Sequence, residues 1–208
     1  LGNQLGSWRI NYKYELEDGN VSVYFQNMFD NTSGLEFNNF PDGVWGAFWE
    51  LPENSIVKGI LYEYVRTTWL RDNGNGPGEN YFINSIYRSG WTYFTRVIGM
   101  PFITPRTATA QIPGIINNRL TSHHLGVRAA IADLDMTFLG SYTRNLGLAV
   151  EPFDPAENVF YTQLHMEYTL WDSLLIGLQL GADLSDVNGE RLGAGLSFRY
   201  FLGESFRM

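Results

Sequence analysis

The residues of this sequence that could do acid–base chemistry near neutral pH are three histidines, two of which are adjacent. His123 and His124 directly follow Ser122, which raises the question of a serine hydrolase. Catalysis by serine needs a histidine base within hydrogen-bond reach of the hydroxyl. In a strand, Ser122 and His123 point to opposite faces, while Ser122 and His124 share a face at a spacing of roughly 7 Å. A nucleophile for His124 must therefore come from another strand, and Ser141 could serve.

These residues predict neither a catalytic site nor a metal site. A hydrolase would need a Ser or Asp that converges on His124 or His165, and it stays an alternative. Zinc needs several His or Cys ligands, but the chain has no cysteine and His165 is distant from the histidine pair. In the loop 72–79, Gly74 stands where a calcium loop has a side-chain oxygen. We therefore expect a protein that is not an enzyme, with no catalytic residues, no metal and no cofactor.

The elements that must position these side chains are long β-strands. Residues 8–16 alternate strictly, with aromatic or aliphatic side chains at even positions and polar ones at odd positions. Segments 134–143, 160–168, 174–184 and 192–200 repeat this pattern, at about the 9–11 residues that a tilted strand needs to cross a bilayer. Ten strands are predicted, at 7–16, 21–29, 44–51, 56–69, 91–99, 119–131, 134–144, 159–169, 174–184 and 192–201.

The predicted fold class is an all-β, antiparallel transmembrane β-barrel of about 10–12 strands in this chain. A soluble β-sandwich or lipocalin-like barrel would alternate too, but its strands are usually shorter. Short turns alternate with long loops at 30–43, 70–90 and 145–158, and Trp and Tyr lie near strand ends, as in bacterial outer-membrane barrels. The expected location is the bacterial outer membrane, with its lipid as a partner. The net charge of −8 and the lack of a basic run exclude nucleic acid as a partner.

Two irregularities need an explanation within this scheme. Glu63 falls out of phase with Lys58 and Arg66, and a β-bulge would restore the alternation. Segment 100–118 contains three prolines and has no clear assignment. Because strand 91–99 and strand 119–131 would otherwise both run toward the short turns, 100–118 is predicted to carry the chain back across the membrane.

The polar positions of the strands define an expected inner face with charges of both signs. Paired charges that fill the lumen are preferred over an open, porin-like channel, which stays the main alternative. The residues of this predicted lumenal network are Arg9, Lys13, Glu15, His124, Arg128, His165, Glu167 and Arg199, together with Asp135, Gln179 and Asp183.

Two sequence blocks resemble the Wzi-type capsule assembly barrels of Bacteroidota. The blocks are residues 87–101 (YRSGWTYFTRVIGMP) and 117–126 (NNRLTSHHLG), with a weaker match at 40–46 (FPDGVWG). The resemblance implies an outer-membrane protein that holds capsular polysaccharide at the cell surface without catalysis. It also implies a larger barrel, of which residues 1–208 would form one domain that is incomplete at its N-terminus, and other outer-membrane subunits are further candidate partners.

A polysaccharide site is expected in the loop 70–90, at one mouth of the barrel. Aromatic faces stack on sugar rings, and arginine offers a bidentate fork to the carboxylates of acidic sugars. The predicted contacts are Tyr81, Tyr87, Arg88 and Trp91. For Trp91, a place in the aromatic girdle at the membrane interface is an equal alternative.

Overall fold

The computed structural model describes residues 6–29, 35–69, 80–83, 89–94, 96–106, 114–171 and 173–201, and its regular elements are all strands. Within these ranges, no helix is long and apolar enough to pass through a membrane. The strands are β1 (Gly6–Leu16), β2 (Gly19–Phe29), β3 (Gly43–Glu50), β4 (Val57–Arg66), β5 (Thr92–Tyr93), β6 (Arg96–Val97), β7 (Thr104–Pro105), β8 (Ile115–Asn117), β9 (Leu120–Ile131), β10 (Leu134–Gly147), β11 (Pro152–Leu170), β12 (Leu174–Ser185) and β13 (Gly189–Tyr200).

Nine of these strands form one antiparallel sheet, in the order β1-β2-β3-β4-β9-β10-β11-β12-β13. The predicted all-β antiparallel fold is therefore confirmed. The sheet is open, because β1 and β13 are its edges and do not pair with each other. Among the predicted strands, 91–99 is missing from the sheet, which has nine strands in the described part of the chain, against the ten to twelve that were predicted.

The connections of the sheet separate into two ends. The connections at 17–18, 51–56, 132–133 and 171–173 lie at one end, which we call the turn end, as predicted from the short turns. The connections at 30–42, 67–119, 148–151 and 186–188 lie at the opposite end, which we call the loop end. The predicted long loop 145–158 is wrong. Strand β10 continues to Gly147 and β11 begins at Pro152, so the connection is only 148–151. Strand β12 pairs with β11 only from Val159 onward, so the prolines of β11 lie on a stretch that is free on that side, where a missing donor is tolerated.

Residues 91–99 do not cross the sheet. Strands β5 and β6 form a ladder of only two residue pairs. Because β4 pairs directly with β9, the connection 67–119 begins and ends at the loop end of the sheet. The alternation around Trp91 resembled a strand, but Phe94 has a φ of 45° and Gly99 a φ of 100°, which end an extended chain. The predicted return of 100–118 across the membrane is therefore wrong, since it rested on counting 91–99 as a crossing.

The predicted β-bulge is confirmed at Lys58. Val57 pairs with Ala129 and Gly59 pairs with Arg128, so Lys58 is an extra residue between two consecutive pairs. The extra residue moves Glu63 onto the same face as His124. This bulge therefore determines which acidic side chain lies beside the histidine.

The register of the sheet separates its side chains into an apolar face and a polar face. Residues that are directly opposite each other on neighbouring strands point to the same side. The apolar face runs without interruption from β1 to β13, and many of its large side chains are exposed. They include Trp8, Ile10, Tyr12, Tyr14, Val23, Trp45, Trp49, Tyr62, Leu125, Phe138, Tyr142, Phe160, Tyr168, Leu180, Leu184, Leu192, Leu196, Phe198 and Tyr200.

The buried hydrophobic core lies at the loop end of the polar face. There the described residues of 80–106 and 114–119, which we call the cap, pack against the sheet. The sheet contributes Met28, Val65 and Leu120, whose register places them on the polar face. From the cap come Tyr81, Phe82, Met100, Ile103 and Ile115. The cap thus covers one end of the polar face, while the rest of that face stays uncovered by the described residues.

Candidate functional site

One residue from each strand of the main sheet forms a continuous line across its polar face, which we call the polar row. The pairings that define it run from β1 to β13 without a register error, so all of its side chains lie on the same side. The polar row consists of Asn11, Tyr24, Gly46, Glu63, His124, Ser141, Tyr161, Asp183 and Arg191. With the exception of Gly46, every member has a polar side chain.

Gly46 allows the first half of the row to connect. The Tyr24 hydroxyl donates a hydrogen bond to Glu63 Oε1, two strands away, by reaching across Gly46. A Cβ at position 46 would lie 2.5 Å from the Tyr24 hydroxyl oxygen and closer still to the ring carbon that carries it. The Arg9 guanidinium lies 4.0 Å from the centre of the Tyr24 ring, a cation–π contact. The sequence pattern did not indicate this arrangement, because it depends on a residue without a side chain.

His124 and Ser141 meet at the centre of the row. His124 Nδ1 and Ser141 Oγ are 2.7 Å apart, and the serine is buried. Glu63 lies directly opposite His124 on the other neighbouring strand, β4. The Phe102 ring of the cap has its centre 6.4 Å from that of His124. This is the convergence of a serine on His124 that a hydrolase would require, and Ser141 was its sequence candidate.

The second half of the row borders a cavity of about 710 Å³. Pro101 and Phe102 of the cap form one wall, and side chains of β9–β13 form the other. The polar side chains along it are His124, Ser141, Tyr161, Gln163, Gln179, Asp183 and Arg191. The Phe102 and Tyr161 rings are 6.5 Å apart. The cavity therefore combines two aromatic rings with two side-chain amides, a carboxylate and a guanidinium.

No family model, curated protein or solved structure matches this chain. The assignment of a function must therefore rest on geometry. Across the part of the chain that the structure describes, His, Asp and Glu side chains do not gather in groups of three that could hold a metal ion.

The other residues of the predicted lumenal network lie on the polar face, most of them nearer the turn end. Their pairings place Lys13, Glu15, Arg128, Glu167 and Arg199 there, together with His165, whereas Arg9 lies on the same face on the loop-end side of the polar row. His165 Nε2 lies 3.7 Å from Glu167 Oε1, which is an ion pair when the histidine is protonated. The remaining members do not form a connected chain of ion pairs among the described residues. Their functional role stays a prediction.

Two residues of the predicted loop site belong to the cap. Tyr81 is 2% exposed, and its hydroxyl accepts a hydrogen bond from Asn39 Nδ2 at 2.8 Å and donates one to Asp42 Oδ2 at 3.1 Å. Its ring therefore offers no surface on which a sugar could stack, and we assign it a structural role. Trp91 is half-buried against the cap core, and within the described part of the chain its indole N–H has no hydrogen-bond partner. Tyr87 and Arg88 lie outside the described residues.

Asp42 anchors the segment before β3 to the cap. Its carboxylate is fully buried, accepts hydrogen bonds from the Trp69 backbone N–H at 2.7 Å and the Tyr81 hydroxyl, and pairs with Arg66 Nε at 3.2 Å. Burial raises the pKa of Asp42 above the ordinary value for aspartate, although the hydrogen bonds and Arg66 oppose that shift. The anchor therefore favours a proton more strongly in the folded protein than in the unfolded chain.

Sequence reasoning did not identify the cavity residues Tyr161, Gln163 and Arg191 as a site. The period-2 pattern did place Tyr161 and Gln163 on the polar side of their strand. Arg191 lay one residue outside the predicted strand 192–201, although β13 begins at Gly189. Phe102 had no local signal, because only the path of the cap brings it over the sheet.

Proposed function

We propose that this chain forms part of a β-barrel in a bacterial outer membrane and binds surface polysaccharide at the outer mouth. The first support is the uncovered apolar face. A soluble monomer rarely exposes a contiguous apolar patch of more than a few hundred Å². Here large side chains are exposed on the two edge strands and between them, such as Ile10 at 66%, Tyr62 at 44% and Leu196 at 64%. Contact with lipid accounts for such a face.

Barrel closure follows from the open edges, because unpaired backbone groups are unfavourable in a bilayer. Strands β1 and β13 both run from the loop end to the turn end. Direct pairing of these two edges would therefore be parallel, whereas outer-membrane barrels are antiparallel with an even number of strands. We therefore propose that an odd number of additional strands closes the barrel.

The location of the long connections supports an orientation. Outer-membrane barrels have short periplasmic turns and longer extracellular loops. The turn end would then face the periplasm, and the loop end with its cap would face the cell exterior. The Phe25, Phe40 and Trp45 rings form a cluster near the loop end, with Phe25 and Trp45 4.3 Å apart, which suits an interfacial aromatic girdle.

The observation that carries the binding proposal is the cavity beside the cap. Sugar rings stack on aromatic faces, and Phe102 and Tyr161 provide two. The amides of Gln163 and Gln179 can pair with hydroxyl groups, and Arg191 can pair with a uronate carboxylate. Because the chain has a net charge of −8, an acidic polymer would need such a local cation for attraction. The sequence resemblance to Wzi-type proteins points to the same ligand class.

The test compares Arg191→Ala with Arg199→Ala, two losses of one positive charge on the polar face of β13. We expect Arg191→Ala to weaken retention of purified acidic capsular polymer about tenfold, which corresponds to roughly 1.4 kcal/mol. The matched Arg199→Ala variant should retain the polymer like the parent, since Arg199 does not line the cavity. Tyr161→Ala should also lose binding, with Tyr161→Phe as its control for stacking.

Each variant is first checked for heat-dependent migration in SDS gels, so that misfolding is not read as lost binding. Equal binding by the Arg191 and Arg199 variants would refute the cavity site. Loss of binding only in a variant with Arg88 and Trp91 both changed to Ala would move the site to the predicted loop. A parent protein that binds no polymer but conducts ions in planar bilayers would favour the channel alternative.

A further inference from the structure

Binding of a polysaccharide does not explain why a serine and a histidine meet at the cavity wall. Ser141 and His124 lie on adjacent strands, and both side chains line the cavity. Their 2.7 Å separation is within the range for a nucleophile and its base. By contrast, Ser122 on the same face is fully buried, and its hydroxyl has no hydrogen-bond partner among the described residues. Of these two serines, Ser141 alone has both a base and access to the cavity.

The surroundings of His124 suit a base that becomes positively charged during a reaction. Glu63 lies opposite His124 on the side away from Ser141, and the Tyr24 hydroxyl holds that carboxylate from the far side. A carboxylate on the neighbouring strand stabilises an imidazolium electrostatically. Glu63 would act through His124 and is therefore a positioning residue.

We propose that Ser141 is the nucleophile and His124 the general base of an esterase site that removes acyl groups from the saccharide held in the cavity. The saccharide part of this substrate rests on the proposed function. The polar side of the cavity suits the sugar alcohol of such an ester, and Pro101 and Phe102 provide an apolar wall for its acyl group. An ester suits this site because its carbonyl is less stabilised by resonance than that of an amide, and because an alkoxide leaves more readily than an amide anion.

The proposed reaction has two balanced steps. Ser141 Oγ attacks the ester carbonyl carbon while His124 Nδ1 takes the hydroxyl proton, and that proton passes to the departing sugar oxygen as the ester bond breaks. Water then attacks the acyl-serine, with His124 as base, and the bond to Ser141 breaks to release a carboxylic acid and the free serine. Gln163, Gln179 and Arg191 line the same cavity and are the side chains that can donate an N–H to the oxyanion.

The first test is covalent labelling of the folded, full-length protein with a fluorophosphonate probe, followed by mass spectrometry. We expect an adduct on Ser141 that is absent in Ser141→Ala and strongly reduced in His124→Asn. Ser197→Ala is the matched control, because Ser197 lies on the polar face of β13 and does not line the cavity. Absence of a Ser141 adduct, or an adduct that does not depend on His124, would overturn the proposal.

The second test measures acetate release from an O-acetylated acidic polysaccharide. Loss of the general base should lower kcat/KM about 10²–10⁴-fold in His124→Asn, and Ser141→Ala should lose at least as much. Retention of deacetylated polymer is measured in parallel for the parent and for the Ser197→Ala control outside the cavity, and it should be the same for both. Normal retention without acetate release would overturn the esterase and leave the binding function standing. Acetate release from nitrophenyl acetate alone, without polymer retention, would overturn the saccharide substrate together with the binding function.

Discussion

Substitution of Gly46 by alanine tests whether the polar row is held together across the sheet. The backbone at Gly46 is not in the left-handed region, so alanine is compatible with its conformation. The new methyl group would overlap the outer part of the Tyr24 ring, with 2.5 Å between its carbon and the hydroxyl oxygen. The ring must therefore move, and it then loses its hydrogen bond to Glu63 and its contact with Arg9.

The expected cost can be assembled from these two contacts. A hydrogen bond to a charged group contributes about 1.5–3 kcal/mol to stability. A cation–π contact at an exposed site adds about 0.5–1 kcal/mol. Replacing glycine by alanine stabilises the folded protein by roughly 0.4–1 kcal/mol, because it restricts the conformations of the unfolded chain. We therefore expect Gly46→Ala to lower the free energy of unfolding by about 1–3.6 kcal/mol.

The measurement is urea-induced unfolding in lipid vesicles, followed by tryptophan fluorescence, in a double-mutant cycle with Tyr24→Ala. Without the Tyr24 ring, the three atoms nearest to the new methyl group are gone, so Gly46→Ala should then be neutral or slightly stabilising. Gly193→Ala is the matched control, because a Cβ there has no neighbour within 4 Å. An equal cost of Gly46→Ala with and without the Tyr24 ring would refute the reasoning.

Three further predictions follow from the register, the cap and the edges. Leu178→Arg on the apolar face should cost about 2–4 kcal/mol near the bilayer midplane, while Gln179→Arg on the polar face should fold like the parent; equal costs would contradict the face assignment. Because burial raises the pKa of Asp42, its protonated form contributes stability that is fully present below the ordinary aspartate pKa and is lost as pH rises through the raised pKa. The urea midpoint of the parent should therefore fall relative to that of Asp42→Asn between pH 4 and 8, and parallel curves would contradict this. Spin labels at positions 12 and 196 should be much further apart than the roughly 4.8 Å between neighbouring strands, and a distance typical of neighbours would show direct pairing of β1 with β13.

The alternation of apolar and polar residues was sufficient to predict the main sheet, because each strand has one face in each environment. In β12, the apolar residues at even positions from Ile176 to Leu184 alternate with polar or small residues, and the register places them as the pattern predicts. Even the bulge at Lys58 was detectable as a change of phase. Strand 91–99 was wrong because a short alternating segment does not distinguish a crossing strand from two-residue ladders in a cap.

The His124–Ser141 contact could be predicted from the sequence more fully than the rest of the site. Strands β9 and β10 are joined by the two-residue turn 132–133, so Ile131 pairs with Leu134. Counting seven residues outward from that pair reaches His124 and Ser141, which therefore must lie opposite each other. Glu63 could not be placed in this way, because the long connection 67–119 hides the pairing of β4 with β9. The position of Phe102 over the sheet could not be predicted for the same reason.

The apolar residues that interrupt the polar face show which part of that face the cap covers. Val44, Val65 and Leu120 are apolar residues on the polar face, and all three lie at the loop end, where they pack with the cap core. Toward the turn end the same face carries charged side chains such as Lys13, Glu15 and Arg199, which are exposed. An apolar side chain on this face is favourable only where other protein covers it, since elsewhere it would meet water. The boundary between the two regions is the polar row, and the cavity with its His124–Ser141 pair lies on that boundary. The ligand that we propose would therefore contact the cap on one side and the charged part of the polar face on the other.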